Sequence, residues 1–111
     1  MTPEQHKGLV NCLKMMAERP HLYTGNHDAT RAVIWLNGFT NAVIAQEQLG
    51  KLGHLIRKEV VISRGWAWRA MGVIPQMVQR GMSPQEIIAE LVAIEIDFMD
   101  RLLNLKTGPT E

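Results

Sequence analysis

Glu95 is the residue of this chain whose position most asks for a chemical explanation. In the segment "GMSPQEIIAELVAIEIDFMDRLLNLKTG" each residue advances about 100° around a helix. Ile87, Ile88, Leu91, Val92, Ile94, Ile96, Phe98, Met99, Leu102, Leu103 and Leu105 then fill a broad apolar arc. Glu86, Glu90, Asp97, Asp100, Arg101 and Asn104 cluster opposite, whereas Glu95 sits inside the arc, flanked by Leu91, Val92, Phe98 and Met99. An unpaired buried carboxylate costs several kcal/mol or stays protonated, so Glu95 needs a partner or an opening to solvent.

Three explanations compete. One is a buried ion pair or hydrogen-bond network with an arginine or tyrosine, which folds use and which is costly to break. A second is a subunit interface, because the arc is wider than one neighbouring helix covers and a symmetry-related helix could share it. The third is a small-ligand site or an enzyme centred on Glu95, a polar group in an apolar cleft. One carboxylate without a second catalytic group makes that reading the weakest.

The other residues with chemical potential are Trp66 and Trp68, two apart, beside Arg64 and Arg69. On a helix two such indoles point to different sides, so at least one is exposed or in an interface. Arg64, Trp66, Trp68 and Arg69 are therefore the candidates for a partner-binding surface, against ordinary core anchoring by one tryptophan. His6, His21, His27, His54 and Cys12 lack the HxxxH or HExxH spacing of a metal site, and no metal is expected. There is no phosphate-binding glycine loop, no Ser-x-x-Lys and no paired-carboxylate spacing, so no catalytic residue and no cofactor is assigned.

The elements that must position these residues read as helices. Thr2, Pro3 and Gln5 make a capping box with proline at the first helical position, and the helix stops near Glu18 because Pro20 disfavours helix at Arg19. Leu9, Val10, Leu13, Met16 and Ala17 form its core-facing stripe. A second helix starts between Asn26 and Asp28 and runs to about Gln48, with Gly50 as its stop. Its flank carries Gly38, Ala42 and Ala45, a strip on which another backbone can approach closely. Residues 51–65 hold the β-branched run Val60, Val61, Ile62 and read as helix or irregular structure, since a lone strand would lack a partner. "WAWRAMGVIPQMVQRG" predicts a helix from Trp66 to Arg80 with a kink or break at Pro75. Ser83, Pro84 and Glu86 then start the last helix, which continues to about Leu105 before a frayed tail over 106–111.

The 111 residues match a single domain, with 46% hydrophobic and 21% charged residues, few aromatics and seven methionines. The expected fold is all-α, a compact bundle of four to five helices, with homodimerisation through the last helix as an open option. A single cysteine excludes an internal disulfide and fits a reducing compartment, the cytoplasm. No run approaches the roughly 18 apolar residues of a membrane span, and no signal core opens the chain.

Charge is uneven along the chain. Residues 51–80 carry Lys51, Arg57, Lys58, Arg64, Arg69 and Arg80 against Glu59, a surplus of +5, and residues 81–111 have a balance of −4. Either the two blocks neutralise each other within the fold or across a dimer, or the basic block faces nucleic acid or an acidic partner. The first is preferred, because the positive charge is spread too thinly for a polybasic patch.

"MMAERPHLYTG" followed by "WLNGF" resembles the Met-x-x-Arg-Pro-x-Met-Tyr-x-Gly plus Leu-x-Gly-Tyr pattern of some small bacterial immunity-type and otherwise uncharacterised proteins. The matching positions are Met16, Arg19, Pro20, Leu22, Tyr23, Gly25, Leu36, Gly38 and Phe39, with Leu22 for the pattern's Met and Phe39 for its Tyr. The resemblance implies a compact helical protein that binds and neutralises a toxin, or a relative with another protein partner, and carries over no functional residue. "AERPHLYTG" itself reads as a clasp: Pro20 stops the first helix, Gly25 permits a turn, and Leu22 and Tyr23 plug the gap. Arg19, released from the helix, is then the expected partner of Glu95, together with Tyr23. The function expected is a non-enzymatic protein-binding module, of immunity type. The alternatives are a nucleic-acid-associated regulator using the basic 51–80 segment and a ligand binder or enzyme centred on Glu95.

Overall fold

Helix α1 (Pro3–Glu18) begins at a complete capping box: the Gln5 amide donates to Thr2 Oγ1 at 3.1 Å and the Thr2 amide to Gln5 Oε1 at 2.9 Å. These bonds satisfy two of the backbone donors that a helix start leaves orphaned. The computed structural model of the chain describes residues 2–19, 29–47 and 49–107. Over these residues it holds five helices and no strand: α1, α2 (Ala29–Gln46), α3 (Lys51–Ser63), α4 (Ile74–Gln79) and α5 (Pro84–Thr107). Ser83 and Glu86 cap α5 in the same reciprocal way, at 3.1 and 2.8 Å. No helix among the described residues is long and apolar enough to cross a membrane.

The other four helices all pack on α5. Three of them bring a stripe at helical spacing, Val10, Leu13 and Met16 from α1, Ala32, Leu36, Val43 and Ile44 from α2, and Ile56, Val60 and Val61 from α3, and α4 adds Met77. They close over Ile87, Ile88, Leu91, Val92, Ile94, Phe98, Met99 and Leu102 of α5, all buried. That explains the width of the apolar arc on α5. Four neighbours from the same chain cover these eight residues, whereas Ile96 and Leu103 of the arc stay half-buried.

The structure resolves the open middle segment and corrects two expectations. Residues 51–63 are helical, because burying Val60 and Val61 against the core outweighs the weak helix preference of β-branched residues. The helix expected from Trp66 to Arg80 is not formed over its first half; α4 starts only at Ile74. Pro75 therefore lies in the first turn, where its missing N–H is harmless, and starts a helix rather than kinking one. Gly65, just before the 66–73 loop, and Gly72, near its end, take φ of +90° and +79°. Such left-handed turns would break a helix at both ends.

The small-residue strip is the second correction. Gly38, Ala42 and Ala45 are exposed, and a methyl group at Gly38 would meet nothing within 4 Å. The close approach occurs at Gly53 instead, where an added Cβ would lie 2.9 Å from Ile44 Cγ1 and 3.2 Å from Leu49 Cβ. Pro20, Leu22, Tyr23, Gly25 and the expected start of α2 at Asn26 to Asp28 lie outside the described residues, as does 108–111 of the expected tail. The last helix extends to Thr107.

Candidate functional site

Glu95 projects from α5 into the core and is 1% exposed. Its two carboxylate oxygens are taken separately: the Thr40 hydroxyl of α2 donates to Oε2, and Arg57 Nη1 of α3 donates to Oε1. Arg57 Nη1 also donates to Thr40 Oγ1 at 3.1 Å, which closes a triangle joining three helices. Burial pushes the Glu95 carboxyl above the usual carboxylate range, and the charge of Arg57 with the bonds from Thr40 and Arg57 opposes that rise. The cation beside Glu95 is thus Arg57, not Arg19. Arg19 is the exposed C-cap of α1, because its backbone N–H stays with Met15 and its side chain remains on the surface. A sealed and paired carboxylate removes the observation behind a ligand site or enzyme centred on Glu95.

Arg64, the C-cap of α3, is spent in a similar way. Its Nε and Nη2 donate to Glu90 at 2.8 and 2.9 Å, and its Nη1 donates to Asp97 at 2.7 Å. Glu90 and Asp97 lie seven residues apart on α5, two turns along one face. Trp66, 5% exposed, donates from Nε1 to Glu90 Oε2 at 2.9 Å, and the guanidinium of Arg80 lies 4.1 Å from the centre of its ring. Arg64, then Trp66, hold the Glu90 carboxyl below its usual range. So the pair Arg64 and Trp66 anchors the fold, and the basic and acidic blocks of the sequence neutralise each other through Arg57–Glu95, Arg64–Glu90 and Arg64–Asp97.

Trp68 and Arg69 differ. Both are exposed, on the 66–73 loop, at a cleft of about 540 Å³ bounded by α2, α3, α5 and the loop itself. Asn37 of α2 and Arg57 of α3 supply its other polar groups, and Val61, Val73 and Ile94 part of its apolar wall. No acidic side chain among the described residues lines it. Gln76 of α4 fixes the loop: its Oε1 accepts from the Ala67 amide at 2.9 Å, and its Nε2 donates to the carbonyls of Ala67 and Gly72 at 3.0 and 3.2 Å. Three bonds from one side chain hold the backbone on both sides of Trp68. Of the four residues that the sequence offers as a partner surface, Trp68 and Arg69 are exposed, whereas Trp66 is buried and Arg64 is paired with Glu90 and Asp97.

Arg57, Thr40, Asn37 and Gln76 were not singled out from the sequence. A signal existed for Thr40, which follows Leu36 by four residues and precedes Val43 and Ile44 on the buried side of α2, a polar group in an apolar stripe like Glu95. Elsewhere, His6 Nε2 lies 2.6 Å from Asp100 Oδ1, and no group of three or more His, Cys, Asp or Glu side chains among the described residues is placed to hold a metal. A second groove, about 510 Å³, runs between α1 and α2 past Gly8, Leu9, Phe39 and Ala42, with Gln5, Gln46 and Glu47 as its polar lining. Comparison of the chain with family models, with curated proteins and with solved structures gives no match.

Proposed function

We propose that this chain is a small non-enzymatic protein-binding module, of the immunity type that neutralises a toxin, and that it docks its partner on the cleft beside the 66–73 loop. One observation carries the reading: Trp68 is 46% exposed and Met71 81% exposed on a loop tied down at both flanks. Solvent-facing indole and thioether groups cost free energy unless something covers them, and Trp, Met and Arg are the types enriched where proteins dock. A pinned loop also lowers the ordering cost of association. The compartment that fits the lone Cys12 is the cytoplasm.

The test is a photo-crosslinking side chain placed at Trp68, with one at Lys14 on the exposed side of α1 as control, followed by calorimetry with the purified captured protein. The expected result is one protein captured from position 68 and not from 14, whose affinity falls at least tenfold for Trp68→Ala. A partner indifferent to Trp68→Ala overturns the reading.

The nucleic-acid alternative has fewer cations to work with than the sequence suggests, because Arg57 and Arg64 face α5 and Arg80 covers Trp66. Steep salt dependence in a DNA or RNA titration would revive it. For self-association, the surface is α3 rather than α5: Leu52, Leu55 and Ile62 are exposed and fall on one side of that helix. Sedimentation velocity at two concentrations decides it.

A further inference from the structure

Arg57 is used on one side only. All its side-chain hydrogen bonds among the described residues leave from Nη1 and none from Nε or Nη2, and the side chain, 20% exposed, lines the cleft. Glu95 and Thr40 therefore lock the guanidinium in place and leave its Nε–Nη2 edge, which is the fork that receives a carboxylate through two parallel hydrogen bonds. Arg69 adds a second positive charge to the lining, Asn37 an amide, and no acidic residue among the described ones opposes them. Glu95 balances Arg57, so Arg69 leaves the cleft one positive charge in excess, which a single anionic group neutralises. The rest is apolar: Val61, Val73 and Ile94 form wall, and the exposed Trp68 also lines the cleft. Ile34, also exposed, precedes Asn37 by one turn of α2.

We infer that the cleft is a carboxylate seat: an Asp or Glu side chain of the partner protein, next to an apolar residue, enters it and bonds the Nε–Nη2 edge of Arg57, while Trp68 covers the apolar neighbour. The inference rests on the protein-binding reading above and names the chemistry that the partner must present. The apolar wall lowers the polarity around the bond, which strengthens it, and the exposed Arg69 attracts the approaching acid. An amide or alcohol of the same shape bonds one side of the fork at best and brings no charge.

The experiment is an NMR titration of the ¹⁵N-labelled full chain with 3-phenylpropionate, against 3-phenylpropanamide as its neutral counterpart. The expected result is saturable shifts from the acid at Arg57 Nε–H, the Trp68 indole N–H and the Gly72 amide, at least tenfold weaker for the amide. Arg57→Lys keeps the charge but not the fork and should lose the acid preference. If Arg57→Lys does not fold, Arg69→Gln at the exposed rim should weaken the acid at least threefold with the amide unchanged. Equal binding of acid and amide, or acid-induced shifts confined to the α1–α2 groove, overturns the carboxylate seat and leaves docking through Trp68 standing. Seating of the acid with no protein captured from position 68 overturns the partner instead and makes the cleft a small-molecule carboxylate site.

Discussion

Arg57 and Glu95 meet across the α3–α5 interface with Thr40 of α2 bonded to both, so one ion pair couples the helix under the cleft to the helix at the centre of the fold. Glu95 gives up its hydration to stand there, and Arg57 supplies the compensation. Arg57→Met removes it, and breaking a buried pair from one side costs about 3–5 kcal/mol. The pH dependence has a definite sign. Burial raises the folded carboxyl above its unfolded value, and losing Arg57 raises it further. The folded variant then binds more protons than the unfolded chain, so its stability is greatest in acid and falls as pH rises through the raised value. Urea denaturation of variant and parent should show a gap that widens from about pH 4 to pH 8. Arg57→Met combined with Glu95→Met should recover most of the loss.

Thr40→Val keeps the shape of the side chain and deletes its hydroxyl. Two bonds go with it, the donation to Glu95 and the acceptance from Arg57. The expected cost is about 1–3 kcal/mol, since charged partners are left short of a bond in a buried place. In a Glu95→Met background the same substitution should cost under about 1 kcal/mol, because the acceptor that needed the hydroxyl is gone. Chemical denaturation of the four proteins measures the coupling.

The two capping boxes, the core stripe of α1 and the anomaly of Glu95 are all readable along the chain, because each is a relation between residues within a few positions. The partner of Glu95 is not. Any arginine satisfies the requirement on paper, and Arg19 stood out because Pro20 ends its helix, whereas Arg57 lay in a segment whose conformation was open. Tertiary packing makes that choice: Val60 and Val61 turn into the core and bring Arg57 to the edge of Glu95. The 66–73 loop was hidden for the opposite reason. Its residues have acceptable helix propensity, and the forces that unwind it are the two left-handed glycines and the side chain of Gln76 from the next helix.

Glu90 gives a pH dependence of the other sign. Arg64 and Trp66 hold its carboxyl below the ordinary range, so the folded state binds fewer protons than the unfolded chain. Its contribution is present above the unfolded pKa and disappears as pH falls through the folded value. Glu90→Gln should cost about 1.5–3 kcal/mol near neutral pH, the worth of hydrogen bonds to a charged group. The difference from the parent should shrink below about pH 4. A gap unchanged from neutral pH to pH 3 would mean that Glu90 acts by packing alone.

Glycines inside helices usually gain from alanine by up to about 1 kcal/mol. Gly8 and Gly38 have nothing within 4 Å of an added methyl and should follow that rule. Gly53 should break it. Its methyl would press on Ile44 Cγ1 and Leu49 Cβ, atoms close to their backbones that cannot swing aside, so Gly53→Ala should destabilise by about 1–3 kcal/mol. Thermal melts of the three single variants should move in opposite directions, up for Gly8→Ala and Gly38→Ala and down for Gly53→Ala.

Gln76→Ala separates the order of the loop from the stability of the fold. The side chain holds Ala67 and Gly72 by three hydrogen bonds, and Met77 beside it, not Gln76, is the residue of α4 buried in the core. Losing the bonds frees the segment that presents Trp68, while Trp66 remains anchored through Glu90 and under Arg80. Hydrogen exchange at the Ala67 amide should speed up by about tenfold or more, the equivalent of roughly 1.4 kcal/mol of local protection, with amides of α1 unchanged. Binding at the cleft should weaken as well, because the partner must then order the loop that Gln76 holds in the parent. Faster exchange with unchanged affinity would show that the loop orders at no cost on docking, and that Gln76 serves the fold alone.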